Sequence, residues 1–161
     1  MFSKFRSLIF KIDPEIAHNL AIKSLKFNFV TNIFDQNKND PMFQTTLFGK
    51  KIDNPIGMAA GFDKNAEVYN PLFRLGFGFV EVGTVTPLKQ FGNPKPRVFR
   101  LEEDQALINR LGFNSFGAND VNSTIRSNPP NGLLGVNIGP NKDTKDKLND
   151  YLICLKTFHD I

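Results

Sequence analysis

The 161-residue sequence predicts an α/β fold built on parallel strands. From residue 55 onward, short apolar runs alternate with stretches of helical periodicity, strand before helix each time. Each of the three apolar runs ends in a polar cluster, and parallel α/β folds collect their chemistry at such carboxyl ends. A composition that is 40% hydrophobic and 22% charged belongs to a globular chain rather than a disordered one. A doubly wound sheet and a (β/α)8 barrel both satisfy this alternation. Three βα units occupy about 100 residues, whereas a complete barrel takes about 250.

Residues 2–12, FSKFRSLIFKI, set Phe2, Phe5, Leu8, Ile9 and Ile12 on one helical stripe, with Lys4, Arg6 and Lys11 largely off it. Asp13-Pro14 then reads as an N-cap followed by proline at the first helical position. The helix it opens, PEIAHNLAIKSLKF, carries Ile16, Ala17, Leu20, Ala21 and Leu25 on one side. Residues 1–34 are therefore expected to form two short amphipathic helices with basic flanks. Such a pair either packs on a core or lies in a lipid headgroup layer, and pattern alone favours packing.

DQNKND, residues 35–40, reads as a linker before Pro41, and residues 41–161 form the α/β part. TTLFGKKIDNPIG suggests a small hairpin around Gly49-Lys50. PIGMAAG reads as the first buried strand, NAEVYNPLFRLG as a helix ending at Gly76, and FGFVEVGTVT as the second strand. RVFRLEEDQALINR is an excursion with two extended arms about an acidic turn. SFGANDVNSTIRSN is a helix, GLLGVNIGPN the third strand and KLNDYLICLKTFHDI the last helix.

The formal charge of +4 suits an anionic cofactor, an anionic substrate or a lipid surface, and is too small to argue for nucleic acid. The single cysteine, Cys154, allows no internal disulfide, makes a reducing compartment the simpler assumption, and sits at helical spacing among Leu148, Tyr151, Leu152 and Leu155. No run approaches the roughly 18 apolar residues of a membrane span, and the N-terminus does not resemble a signal peptide. His18 and His159 lie far apart, and no CxxC, HExxH, GxGxxG or GxxxxGK[ST] spacing occurs, so no metal site is expected.

At the first strand end, Ala59-Ala60-Gly61 would let a flat ring approach the backbone, because almost no side chain holds it off. Lys64 would offer a positive charge to a carboxylate or to an electron-rich ring. Thr84 and Asn137, at the second and third ends, can bond ring carbonyls and imide nitrogens. Taken singly, each could equally be a turn residue or a solvated lysine. INRLGFNSFGAND, residues 108–120, adds a dense set of amides and a guanidinium in Asn109, Arg110, Asn114 and Asn119.

AAGFDKNAE, EVGTVTP, GNPKPRVFRLEEDQALINRLGFNSFG and GVNIGPNKDT, in this order and spacing, resemble the class 2 dihydroorotate dehydrogenases. These are membrane-associated, FMN-dependent, quinone-reducing enzymes of pyrimidine synthesis. The resemblance implies that the chain is the N-terminal portion of a (β/α)8 barrel, about three βα units preceded by two amphipathic helices. It assigns Ala60, Gly61, Phe62, Asp63, Lys64, Thr84 and Asn137 to FMN. It assigns Lys64, Asn109, Arg110, Leu111, Gly112 and Phe113 to dihydroorotate or its product orotate, and His18 and Arg100 to the quinone side. It also turns the N-terminal helices into a quinone entrance lying on the membrane, at its cytoplasmic face.

In such enzymes a serine takes the C5 proton of dihydroorotate while hydride passes from C6 to flavin N5, and the reduced flavin then reduces quinone. That serine is expected in a segment of the form N-x-S-S-P-N-T, which occurs nowhere in the 161 residues. The resemblance thus places no catalytic base in this chain, and Cys154 matches no catalytic position. The chain is expected to be inactive alone and to need a complementary C-terminal chain. A remnant of a split or decayed gene and a membrane-surface binding module are the competing readings.

Overall fold

A computed structural model describes residues 9–27 and 40–161. Its elements in chain order are α1 (Pro14–Leu25), a 3-10 turn (Pro41–Phe43), β1 (Thr45–Leu47), β2 (Lys50–Ile52), β3 (Gly57–Met58), α2 (Tyr69–Arg74), β4 (Phe79–Val85), β5 (Val98–Leu101), β6 (Ala106–Asn109), α3 (Ala118–Ser127), β7 (Leu133–Ile138) and α4 (Lys147–Phe158). Strands β3, β4 and β7 form a parallel sheet in that order, with α2 and α3 as the crossovers and α4 following β7. The expected βα rhythm is therefore present. The excursion before α3 is the antiparallel β5–β6 hairpin, closed at Glu102–Gln105.

The first predicted strand is the one most shortened. Only Gly57 and Met58 pair in register with β4. Beyond them the two chains stay tied by single bonds, from Gly61 N to Gly83 O at 2.8 Å and from Gly83 N to Asp63 O at 3.0 Å. Gly83 has φ +113, and a Cβ there would run into Asn137 O, so glycine lets β4 and β7 close at this point. Helix α2 begins at Tyr69 rather than near Asn65, because Ala66 takes a left-handed φ of +58 and the preceding turn is held by a side chain instead. The β1–β2 turn is centred on Phe48-Gly49, one residue earlier than expected; both have positive φ, as a two-residue hairpin turn requires.

The core lies between the sheet and its helices: Val80, Val82 and Val85 of β4 meet Val68, Tyr69 and Leu72, together with Val121 and Ile125 of α3. Cys154 of α4 is fully buried, and burial pushes its thiol pKa up to about 11, so it is a packing residue. Among the described residues β3 and β7 each pair only with β4, and α4 leaves Leu148, Leu152 and Leu155 exposed.

Helix α1 starts as the sequence predicts, with the Asp13 carboxylate accepting from Glu15 N at 2.9 Å and Ile16 N at 3.0 Å. Its packing face is a correction. Ile22 and Leu25 are buried, but Ile16 and Leu20 of the predicted apolar stripe are 53% and 52% exposed. Polar anchors described below set the roll of this helix and turn part of the stripe outward. The rest of the expected first helix, residues 2–8, and most of the linker lie outside the described residues.

Candidate functional site

The loop after β3 is folded by one carboxylate. Asp63 is fully buried and accepts from Glu67 N and Val68 N, each at 2.7 Å. Burial raises its pKa, and these backbone bonds partly oppose that rise. Asp63 thus shapes the loop, and its carboxylate is spent on the backbone. The shaped loop leaves Gly61 at φ +111 with nothing within 4 Å of where a Cβ would point. It also holds Lys64 half-buried, and among the described residues its ammonium enters no salt bridge. Burial lowers the Lys64 pKa, and the Arg97 charge adds to that effect.

Over this loop lies a cavity of about 310 Å³. Ala60, Gly61 and Lys64 line it from the first strand end and Thr84 from the second; Asn109 lines it from the last position of β6, and Arg110, Leu111, Gly112 and Phe113 from the segment that follows. Three stretches separated in sequence therefore converge on one hollow. Of the remaining predicted residues, Asn137 stands one bond behind the lining: Thr84 Oγ1 donates to its Oδ1 at 2.6 Å, and its Nδ2 donates to Glu81 at 3.0 Å. Arg110 does not aim its charge freely into the hollow, because Nε and Nη2 donate to Pro96 O at 3.3 and 3.0 Å.

The segment 109–114 is clamped in place. Gln90 Nε2 donates to Phe113 O at 2.9 Å, and Gln90 Oε1 accepts from Asn141 Nδ2 and Lys142 N, both at 2.9 Å. Asn93 Nδ2 donates to Arg110 O at 2.7 Å. These bonds fix the segment against the loop that follows β7.

A second cavity, about 510 Å³, lies between α1, the loop after β3 and the β5–β6 hairpin. His18, Phe62 and Arg100 line it, and it shares Gly61, Lys64, Leu111 and Asn114 with the first, so the two hollows adjoin. The His18 ring stands edge-on to Phe62, with centroids 5.3 Å apart. Burial, helped by the Lys64 charge and opposed by Glu15 and Glu67, lowers the His18 pKa and so favours the neutral imidazole. Arg100 donates to Ile12 O at 2.7 Å and Phe10 O at 3.2 Å, and stacks on the Phe10 ring at 4.8 Å. Its guanidinium anchors the chain entering α1 and still borders the cavity.

Sequence reasoning left out Asn93 and Gln90, ordinary polar residues in a loop without periodicity. It noted Asn114 in an amide-rich run without assigning it to the site, and Asn114 lines both cavities. It also passed over Glu15 and Arg97, which lie 82 positions apart and meet only in the fold.

The dihydroorotate dehydrogenase family profile matches residues 42–161. The chain belongs to this family. It is 52% identical over 158 residues to the dihydroorotate dehydrogenase (quinone) of Bartonella tribocorum, covering 97% of this chain and 42% of that protein. The protein of the same name from Agrobacterium fabrum is 50% identical over 154 residues, with 96% and 42% covered. The crystal structure of DHODH from Eimeria tenella in complex with ferulenol matches with a TM-score of 0.82 at 42% identity, covering 90% of this chain and 40% of that one. Its ligand-free form matches with a TM-score of 0.83. The chain thus spans about two-fifths of the length of these dihydroorotate dehydrogenases, and its fold is part of their barrel. No described helix is long and apolar enough to cross a membrane.

The residues present fit the flavin that this family implies. Gly61 leaves open space above the backbone, where a flat ring needs it, and Thr84, held by Asn137, brings a hydroxyl to the cavity at the sheet's end.

Proposed function

We propose that this chain supplies the FMN- and dihydroorotate-binding face of a quinone-linked dihydroorotate dehydrogenase, which oxidises dihydroorotate to orotate in pyrimidine synthesis. The convergence of Lys64, Thr84 and residues 109–113 on one cavity is the observation that carries this reading. FMN, when bound, accepts hydride from the substrate and passes electrons on to quinone. Ala60, Gly61 and Thr84 hold it, with Asn137 bonded behind Thr84 and Asp63 shaping the loop that carries Gly61 and Phe62. Lys64 attracts the substrate carboxylate from a half-buried position, where a charge counts for more than in open water. Asn109 and the backbone of Arg110–Phe113 orient the pyrimidine ring, kept rigid by Gln90 and Asn93.

The second cavity serves the quinone. It adjoins the first at Gly61 and Lys64, and His18 and Arg100 border it. The exposed Ile12, Ile16, Leu20 and Phe27 beside Lys11 and Lys23 suit a helix resting on the cytoplasmic face of the membrane. The base that removes the C5 proton is not among these residues. The open edge of β7 and the exposed apolar face of α4 are where the remaining strands and helices of such a barrel would pack. Alone, the chain does not hold FMN tightly or turn over dihydroorotate.

The test is to purify the 161-residue chain alone and after co-expression with a polypeptide carrying the rest of a family member. Flavin absorbance and dihydroorotate-dependent quinone reduction are read on both. A colourless, inactive chain and a yellow, active pair are expected. Activity of the chain alone, or a pair without flavin, overturns the proposal.

A further inference from the structure

Asn114 Oδ1 is the one buried side-chain oxygen or nitrogen without a hydrogen-bond partner among the described residues. A buried acceptor left open is costly, so it calls for a donor that the chain itself does not supply. The other carboxamide oxygens of the smaller cavity are engaged: Asn93 Oδ1 accepts from Lys142 Nζ at 3.1 Å, and Asn109 Oδ1 from Leu111 N at 3.5 Å. Arg110 is committed to Pro96 O. The lining of this cavity therefore includes one uncommitted cation, Lys64, and one residue, Asn114, whose buried side-chain oxygen has no partner.

We propose that Asn114 reads the substrate, its carboxamide oxygen accepting the ring N–H that adjoins the carboxylate-bearing carbon of a carboxylated pyrimidine. This rests on the reading of the Lys64 cavity given above and adds a specificity residue to it. Lys64 alone would take any small carboxylic acid. A second point that demands a donor next to the carboxylate rejects acids lacking one, because they would leave Asn114 buried and unpaired. In dihydroorotate and orotate, N1–H is bonded to C6, the carbon that bears the carboxylate, so one edge of the ring presents both groups together. Asn114 also borders the larger cavity, so a ligand held there closes the wall between the two hollows.

The test titrates the ¹⁵N-labelled 161-residue chain with orotate and with 1-methylorotate, following the amide signals of residues 109–113 by NMR, which registers millimolar affinities. One hydrogen bond predicts that the wild type prefers orotate about fivefold, and that Asn114→Ala weakens orotate about fivefold while leaving 1-methylorotate unchanged. The wild-type comparison needs no variant, so it stands even if the substitution disturbs folding. Equal affinity of the wild type for the two ligands overturns the proposal. So does an equal effect of Asn114→Ala on both, or an effect on FMN titration alone; in these cases orotate still binds and the reading of the cavity survives. If orotate moves none of these signals, that reading falls and this proposal falls with it.

Discussion

Glu15 on α1 and Arg97 before β5 form a two-pronged ion pair, with Nη2 2.6 Å from Oε1 and Nε 3.2 Å from Oε2. Arg97 is buried, and Nη1 also donates to Phe91 O at 2.6 Å and Asn93 O at 3.0 Å. One guanidinium therefore joins α1 to the loop that supports the smaller cavity. This pair, with Arg100 and the His18–Phe62 contact, fixes the roll of α1 that leaves Ile16 and Leu20 outside.

Removing the acid strands a buried cation. Breaking a fully buried pair costs about 3–5 kcal/mol, and the partly accessible Glu15 brings the expected loss for Glu15→Ala to about 2 kcal/mol. The hydrogen bond from Arg97, with its charge, holds the Glu15 carboxyl below its ordinary value of 4.5, against the opposing effect of burial. Because the folded value is the lower one, this contribution is complete above pH 4.5 and fades as the pH falls through the folded value. Denaturant unfolding from pH 7 to pH 3 should show an acid limb that is shallower in Glu15→Gln. Parallel curves for variant and wild type would refute this.

Asp63 works in the opposite sense. Burial raises its folded pKa above 3.8, so its ionised form is disfavoured in the folded chain, and that cost disappears below pH 3.8. It is retained because two N–H groups depend on it. Asp63→Ala leaves both without a partner and should cost about 2–4 kcal/mol at pH 7, read by thermal or denaturant unfolding. A loss under 1 kcal/mol would mean that water or a neighbour replaces the carboxylate.

These two carboxylates mark what could be read from the chain. The Asp13 cap and the order of the three βα units rest on local pattern, and both are present; Cys154 is buried as expected, but on the face of α4 away from Leu148, Tyr151, Leu152 and Leu155, the apolar stripe that the pattern points to. The truncation of β3 and the late start of α2 follow from Asp63 and Ala66, a tertiary capping arrangement that propensity does not show. The residues assigned through the family motifs largely share one cavity, but the motifs could not say that Asp63 and Arg110 spend their polar groups on backbone. Glu15–Arg97 and the Gln90 clamp depend on contacts between distant segments, so no single window contains them.

Two glycines at neighbouring strand ends should respond differently to the same methyl group. At Gly61 an added Cβ meets nothing, so Gly61→Ala loses only the backbone strain of a positive φ, about 1–3 kcal/mol, while its methyl intrudes where a flat ring would lie. At Gly83 the Cβ collides with the backbone of β7 in addition to the strain. Gly83→Ala should therefore unfold at lower denaturant than Gly61→Ala. In the complemented pair described above, Gly61→Ala should lower the flavin bound per folded protein by at least about tenfold, a 1.4 kcal/mol effect. Equal midpoints, or unchanged flavin content in Gly61→Ala, would contradict this assignment.

Lys64 should separate stability from binding. Burial and the Arg97 charge push its pKa down, so the folded state holds the ammonium at a cost. With the folded value below the unfolded one, stability rises as the pH climbs through the folded value toward the ordinary 10.5. Lys64→Met keeps the length of the side chain and removes the charge, so it should unfold no more easily than the wild type and lose the alkaline gain. The same variant should weaken orotate about tenfold or more in the NMR titration, as loss of a charge-assisted bond to a carboxylate requires. Destabilisation with unchanged orotate binding would make Lys64 a structural residue and remove it from the site.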